Sequence, residues 1–429
     1  MRIRIHGGRV IDPASGHDAI TDLYLADGKI LALGRAPDGF SADREIDAQG
    51  LHVIPGLVDI SARLREPGQE HKGTIASETR AAAAGGITTL CLPPDTDPVI
   101  DTPAVAQLIA RRARDAGHAR VVTLGALTLG LGGEQLAEMA LLRDQGQCVG
   151  VSNACRPVTS TRVMRRAMEY AASCRMTVFL HADDASLSQG GCVHEGVMST
   201  RLGLPGIPDA AETVAVAREL MLIEETGVRA HFCHLSTAHA VQMVARARHD
   251  GLPVSMGTTA HHLHLTEMDI GDFDSRAHVL PPLRTERDRD ALREGIASGA
   301  ISTICSDHQP HDAYAKLAPF PETEPGISGL ETLLPLALRL VEDGIADLPT
   351  VLGKLTCEPA AVLGLEDCGR IAPGLRADLC LYAPRQPWLV DNTRLDSAGK
   401  NTPFEGWEMR GQVLYTLLEG KVVFDFNTE

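Results

Sequence analysis

The sequence is short of most features that would place it quickly. No uninterrupted apolar run approaches the ~20 residues that span a bilayer, and the opening MRIRIHGGRVID has no apolar core of the kind a secretory signal carries. Residence in the cytoplasm is therefore expected. No CxxC pair occurs. The ten cysteines stand singly, several inside apolar runs (Cys91, Cys233, Cys305, Cys380), so a disulfide framework and a zinc finger are both excluded, and reduced core thiols are expected. Basic charge is also scarce: 40 Lys and Arg stand against 56 Asp and Glu, a net charge of -16 with no acidic tail. Such a surface disfavours nonspecific binding to nucleic acid or anionic membrane. Low-complexity linkers and internal repeats are missing too.

What is present is an ordinary globular composition, 44% hydrophobic and 22% charged, over 429 residues. That length accommodates a large barrel domain and a smaller one. Between residues 51 and 359, short β-rich runs alternate with longer helical patterns. The strand candidates are Leu51–Ile60, Ile87–Leu92, Val121–Leu127, Cys148–Asn153, Thr177–Ala182, Ala230–Leu235, Pro253–Thr259 and Ile301–Ser306. Helical patterns fall at Thr74–Ala84, Thr102–Ala116, Ser160–Ser173, Ala210–Glu225 and Ala238–Asp250. Eight such repeats predict the α/β class and a (β/α)8 TIM-like barrel. Residues 1–50 and 360–429 read instead as short strands and turns. Neither end makes a complete sheet alone, so the two are expected to pair into one composite β-domain.

The segments PGLVD and LREPGQEHKGTIASETRAAAAGGITT, with FLHADD, HFCHLST, ICSDHQPH and KNTPFEGWEMRG further on, resemble the type I dihydroorotases of the metal-dependent amidohydrolase superfamily. The resemblance covers essentially the whole chain. It implies a binuclear zinc centre held by a His-x-His pair after the first barrel strand, a bridging Asp after the fourth, a His after each of the fifth and sixth, and an Asp after the eighth. In this chain those positions are Ser61 and Arg63, Asn153, His181, His234 and Asp307. The last three match and the first three do not. A hydroxyl is a poor zinc ligand, a guanidinium has no lone pair to give, and an amide oxygen is a weak substitute for a carboxylate. No cofactor is expected, or at most one weakly held zinc at His181 and His234.

The substrate positions that the resemblance implies have changed as well. Arg65 keeps the Arg that would grip the carboxylate of dihydroorotate. The family's MPNTNP reads PPDTDP here, so Asp95 replaces an Asn and would repel that carboxylate or neutralise Arg65. VNPPLR reads VLPPLR, which puts Leu280 in place of a polar contact. His311 of DHQPH and Pro325-Gly326 of PGISGLET match pocket-lining positions, although each is equally a local packing or turn residue. His261 and His262 are expected on opposite faces of a strand. Asp307 would be the family's general base, here a relic without metal-bound water. One cation and one carboxylate have changed together, so Arg63 is expected to turn inward and pair with Asp307. The simpler alternative is an Arg63 that snorkels to the barrel mouth.

These residues imply a catalytically inactive homologue that resembles most the non-catalytic dihydroorotase-like chains assembled with aspartate carbamoyltransferase. The expected partner is the catalytic chain of that enzyme. The alternative is an active zinc-dependent dihydroorotase with an atypical metal site. A hydantoinase would need a carboxylated lysine where Asn153 stands, and a small-molecule sensor has no specific sign in the sequence.

Overall fold

The computed structural model describes residues 1–427. Its centre is an eight-stranded parallel sheet in sequential order: Leu57–Asp59, Ile87–Leu92, Arg120–Ala126, Gly150–Ser152, Thr177–His181, Ala230–Cys233, Val254–Thr259 and Thr303–Cys305. The second of these is buried at all six positions, as a parallel strand covered on both faces must be. Val58, Cys91, Leu124, Phe179 and Cys305 pack together within the barrel, with Ala360 and Leu363 beside them. The ring closes through a parallel bridge between Ala62 and His308, and Arg63 N–H donates to the His308 carbonyl at 2.8 Å. That closure sets the loop after the first strand against the loop after the eighth. The expected barrel is present.

The intervening helices begin where the sequence offers caps. Thr74 accepts from Ser77 N–H ahead of Ile75–Ala84, Pro103 opens Pro103–Ala116 directly after Thr102, and the Ser160 side chain accepts from Val163 N–H ahead of Thr161–Ser173. Asp209–Thr226 and Ala238–His249 complete the predicted set. Among the described residues, no helix is long and apolar enough to cross a membrane.

Two details differ from the sequence reading. The run Leu51–Ile60 is two strands, not one. His52–Pro55 pairs with Leu379–Leu389 and Arg9–Asp12 in a terminal sheet, and only Leu57–Asp59 enters the barrel. The chain passes from one sheet to the other at Gly56, where a Cβ would lie 2.2 Å from the Thr88 hydroxyl, so no side chain fits the crossing. The terminal domain also holds two sheets. Residues from both ends build a six-stranded one, while Arg2–His6, Leu23–Ala26, Lys29–Leu33 and Arg44–Asp47 form a four-stranded sheet from the N-terminal segment alone.

Glu219 sits on the core face of Asp209–Thr226, 2% exposed, with one carboxylate oxygen lacking any partner. Burial pushes its pKa up to about 8 against the weaker pull of Arg218. The folded state therefore prefers the protonated acid. This contribution is complete below the pKa of the unfolded chain, near 4.5, and is lost as pH rises through 8. Glu219→Gln, which mimics the protonated form, is expected to raise the thermal midpoint clearly at pH 9 and hardly at all at pH 5. Paired thermal melts at the two pH values check this.

Candidate active site

The loop Ser61–Arg65 follows the first barrel strand and faces Asp307–His311 across the barrel closure. Arg63 lies inside this angle, only 6% exposed. Its Nε donates to Asp95 at 2.8 Å, one terminal nitrogen donates to Asp307 at 3.1 Å, and the other contacts the Cys155 sulfur at 3.2 Å. Burial alone would lower the guanidinium's pKa. The charges of Asp95 and Asp307 outweigh that burial and hold it well above its ordinary value. Arg63 thus points inward and pairs with Asp307 as the charge argument required.

Asp307 is 2% exposed and fully engaged. Ser61 donates its hydroxyl to the same carboxylate oxygen that Arg63 binds, at 3.3 Å, and Gln309 donates to the other at 3.1 Å. Burial would raise this carboxyl, but His234, Arg63 and His261 draw it below the usual carboxylate range. Asp59, the last residue of the first barrel strand, shows the opposite balance. It accepts from Ser61 N–H and Ser306 N–H, yet burial still pushes it up to about 7.

Asn153 does not face this centre as a ligand. Its oxygen accepts from the Thr128 hydroxyl at 2.7 Å, and its nitrogen donates to the carbonyls of Arg156 at 2.8 Å and Leu131 at 3.3 Å. His181 and His234 do face each other, with ring centroids 6.1 Å apart. His234 Nε2 lies 3.6 Å from Asp307, too long for a hydrogen bond. His181 Nδ1 and both His234 nitrogens are buried without a partner. Burial lowers His181 to about 3, so the ring is neutral. Among the described residues, no group of three or more His, Cys, Asp or Glu side chains is arranged to hold a metal ion. The donor set does not fit the binuclear centre that the resemblance implies: one carboxylate carries a guanidinium, and the bridging position offers an amide already committed to its neighbours.

The substrate positions are drawn into internal contacts. Asp95 is the partner of Arg63 and not of Arg65, contrary to the sequence reading, because the Arg63 side chain reaches it first from the buried side. Arg65 donates instead to the Pro310 carbonyl at 2.9 Å and contacts His311 Nε2 at 3.0 Å. Burial, followed by repulsion from Arg63, lowers its pKa to about 10. His311 Nε2 also lies 2.9 Å from the Pro325 carbonyl. Gly326 has φ +129, and a Cβ there would come within 2.4 Å of the Gln309 side chain, so the turn must be glycine to lie this close. Leu280 lines a pocket of about 100 Å³ that adjoins this centre, together with Cys155, His181, Asp183 and Arg284.

Three contributors were not singled out by the sequence reading. Cys155 and Gln309 had no signal beyond lying near Asn153 and Asp307. Asn401 sits in the noticed KNTPFEGWEMRG segment and staples two loops: it accepts from His311 N–H at 2.9 Å and donates to the carbonyls of Gln309 and Gly326 at 2.9 and 3.0 Å. His261 and His262 also depart from expectation. They follow the strand on a short 3-10 turn with rings 4.7 Å apart, both buried, because the strand ends at Thr259.

Removing Arg63 would strand two carboxylates, one of them fully buried. Arg63→Ala is expected to cost about 3–5 kcal/mol of stability. Adding Asp307→Asn should recover part of that loss, since the stranded charge is then gone. Denaturant unfolding of the single and double variants reads both effects.

A family model described as dihydro-orotase-like matches residues 50–240. The chain is 52% identical over 425 residues to a dihydroorotase-like protein of Pseudomonas aeruginosa, covering 99% of this chain and 100% of the other. It is 44% identical over 427 residues to a dihydroorotase of Geobacter sp. (strain M21), covering 99% of each. Among solved structures, the L-hydantoinase (dihydropyrimidinase) from Arthrobacter aurescens superposes with a TM-score of 0.89 at 24% identity, over 99% of this chain and 96% of that one, a likeness of fold. The chain belongs to the dihydroorotase-like family, on an amidohydrolase barrel with an added β-domain.

Proposed function

We propose that this chain is a catalytically inactive dihydroorotase homologue that serves as a structural subunit for the aspartate carbamoyltransferase catalytic chain in pyrimidine biosynthesis. The observation that carries the loss of catalysis is the Arg63 guanidinium bound to both Asp95 and Asp307. An arginine stays charged at any working pH. A metal cation seated on the same carboxylate would have to displace it. Asp307, the relic general base, is ringed by Ser61, Arg63 and Gln309, so a substrate proton would compete with three donors already in place. Asp95 and Leu280 oppose an anionic, polar substrate, and Arg65 is turned to Pro310 and His311. The partner follows from the resemblance in sequence to chains assembled with that enzyme.

A second reading, an active zinc-dependent dihydroorotase with one atypical ion, draws support from the unpartnered nitrogens of His181 and His234. The two readings predict different proteins on purification. The scaffold reading expects co-purification with aspartate carbamoyltransferase from the native source, zinc far below one per chain, and no interconversion of carbamoyl aspartate and dihydroorotate. A free homomer with stoichiometric zinc and turnover contradicts it.

Restoring the lost ligands separates metal from substrate recognition. Ser61→His, Arg63→His and Asn153→Asp together are expected to recover zinc binding, measured by metal analysis after dialysis. Turnover of dihydroorotate should stay very low, because Asp95 and Leu280 remain. High activity in that variant would show that the pocket is still competent.

A further inference from the structure

A groove of about 1090 Å³ lies far from the strand-end chemistry, between the barrel helices Ile75–Ala84 and Leu333–Glu342 and the long terminal hairpin Leu379–Leu389/Glu408–Leu418. Two kinds of surface meet in it. Leu389, at the end of the hairpin's first strand, is 62% exposed, and Phe426, just after the strand Lys421–Asp425, is 36% exposed. Trp388 is half-buried, and its indole N–H is shielded from water and has no acceptor among the described residues.

Charge narrows the occupant. Asp391, Glu405 and Glu408 line the groove and form no salt bridge within 4 Å among the described residues; Asp391 accepts from Thr393 and feels the charge of Arg394, Asp396 is taken by Arg80, and Arg394 is the one cation among the described lining residues. A second copy of this chain would bring a surface of net charge -16 onto an acidic wall, which repels. The geometry points to this groove as the seat of a lysine- or arginine-bearing, leucine-rich segment of a different protein. Its apolar side chains would cover Leu389, Phe426 and the exposed part of the Trp388 ring, and its cations would meet Asp391, Glu405 and Glu408. The inference rests on the scaffold reading for the existence of a partner, and the groove's chemistry is tested without that partner.

The chain has two tryptophans, so full-length Trp407→Phe makes Trp388 the sole reporter. This protein is titrated at physiological salt with a capped octapeptide of alternating lysine and leucine, and with a matched glutamate-leucine peptide. Calorimetry on the unsubstituted chain repeats the measurement without relying on the variant. Saturable binding of the lysine peptide is expected, with a shift in Trp388 emission. Affinity should fall roughly tenfold or more in Glu405→Lys/Glu408→Lys and be lost in Leu389→Asp. No saturable binding, an equal response to the glutamate peptide, or unchanged affinity in the charge-reversal variant overturns the inference. So does concentration-dependent dimerisation that Leu389→Asp abolishes, which would give the groove to a second copy. If Leu389→Asp still co-purifies with aspartate carbamoyltransferase, the groove inference fails while the scaffold reading stands. If the lysine peptide binds but the native chain has no partner, the scaffold reading fails and the groove's chemistry stands.

Discussion

Two carboxylates from different loops converge on one buried guanidinium at the centre of this barrel, and the arrangement of the mouth follows from that fact. Asp307 is almost fully buried at the end of the eighth strand, and an unpaired carboxylate there would be costly. Arg63 answers the charge from the opposite side of the barrel closure, and Asp95 shares it. Because a guanidinium has a fixed fork of donors, it holds the positions of the loops as well as their charge. Ser61 and Gln309 fill the remaining acceptor sites of Asp307, and Asn401 ties the loop after the eighth strand to the turn at Gly326. The result is a salt-bridged cluster, with the unpartnered nitrogens of His181 and His234 beside it, where the resemblance implies a metal centre.

The fold is indifferent to that exchange, for a physical reason. The barrel is held by parallel pairing, by apolar layers such as Val58, Leu124 and Phe179, and by capped helices around it. None of these depends on a ligand at the strand ends. A chain can therefore keep the scaffold and its surfaces while the chemistry is replaced by salt bridges. His181 and His234 keep unpartnered nitrogens at the positions where the resemblance implies metal ligands, and burial leaves the His181 ring neutral.

Much of this was legible in the sequence, and the failures have specific causes. Helices Thr161–Ser173 and Pro103–Ala116 were readable because Ser160 and Thr102-Pro103 mark their starts. The inward Arg63 was readable because charge conservation around Asp307 left few other solutions. Leu51–Ile60 read as one strand because its apolar run is continuous, and only Gly56 marks the passage between two sheets. The choice of Arg63 over Arg65 as the partner of Asp95 depends on side-chain reach across the barrel, which motif order does not encode. The same holds for Asn153: its identity said that a ligand was lost, but its rotation toward Thr128 and Arg156 is a matter of local packing. Cys155 touches Arg63 only because the loop after the fourth strand folds over it.

The central claim is that a guanidinium occupies the cation's place and keeps a metal out. Crystals grown in excess zinc, with an anomalous difference map at the zinc edge, test it most directly. The account predicts Arg63 still bonded to Asp95 and Asp307, with no zinc peak at His181, His234 or Asp307. A strong peak on those three residues, with Arg63 swung out toward the barrel mouth, would contradict it.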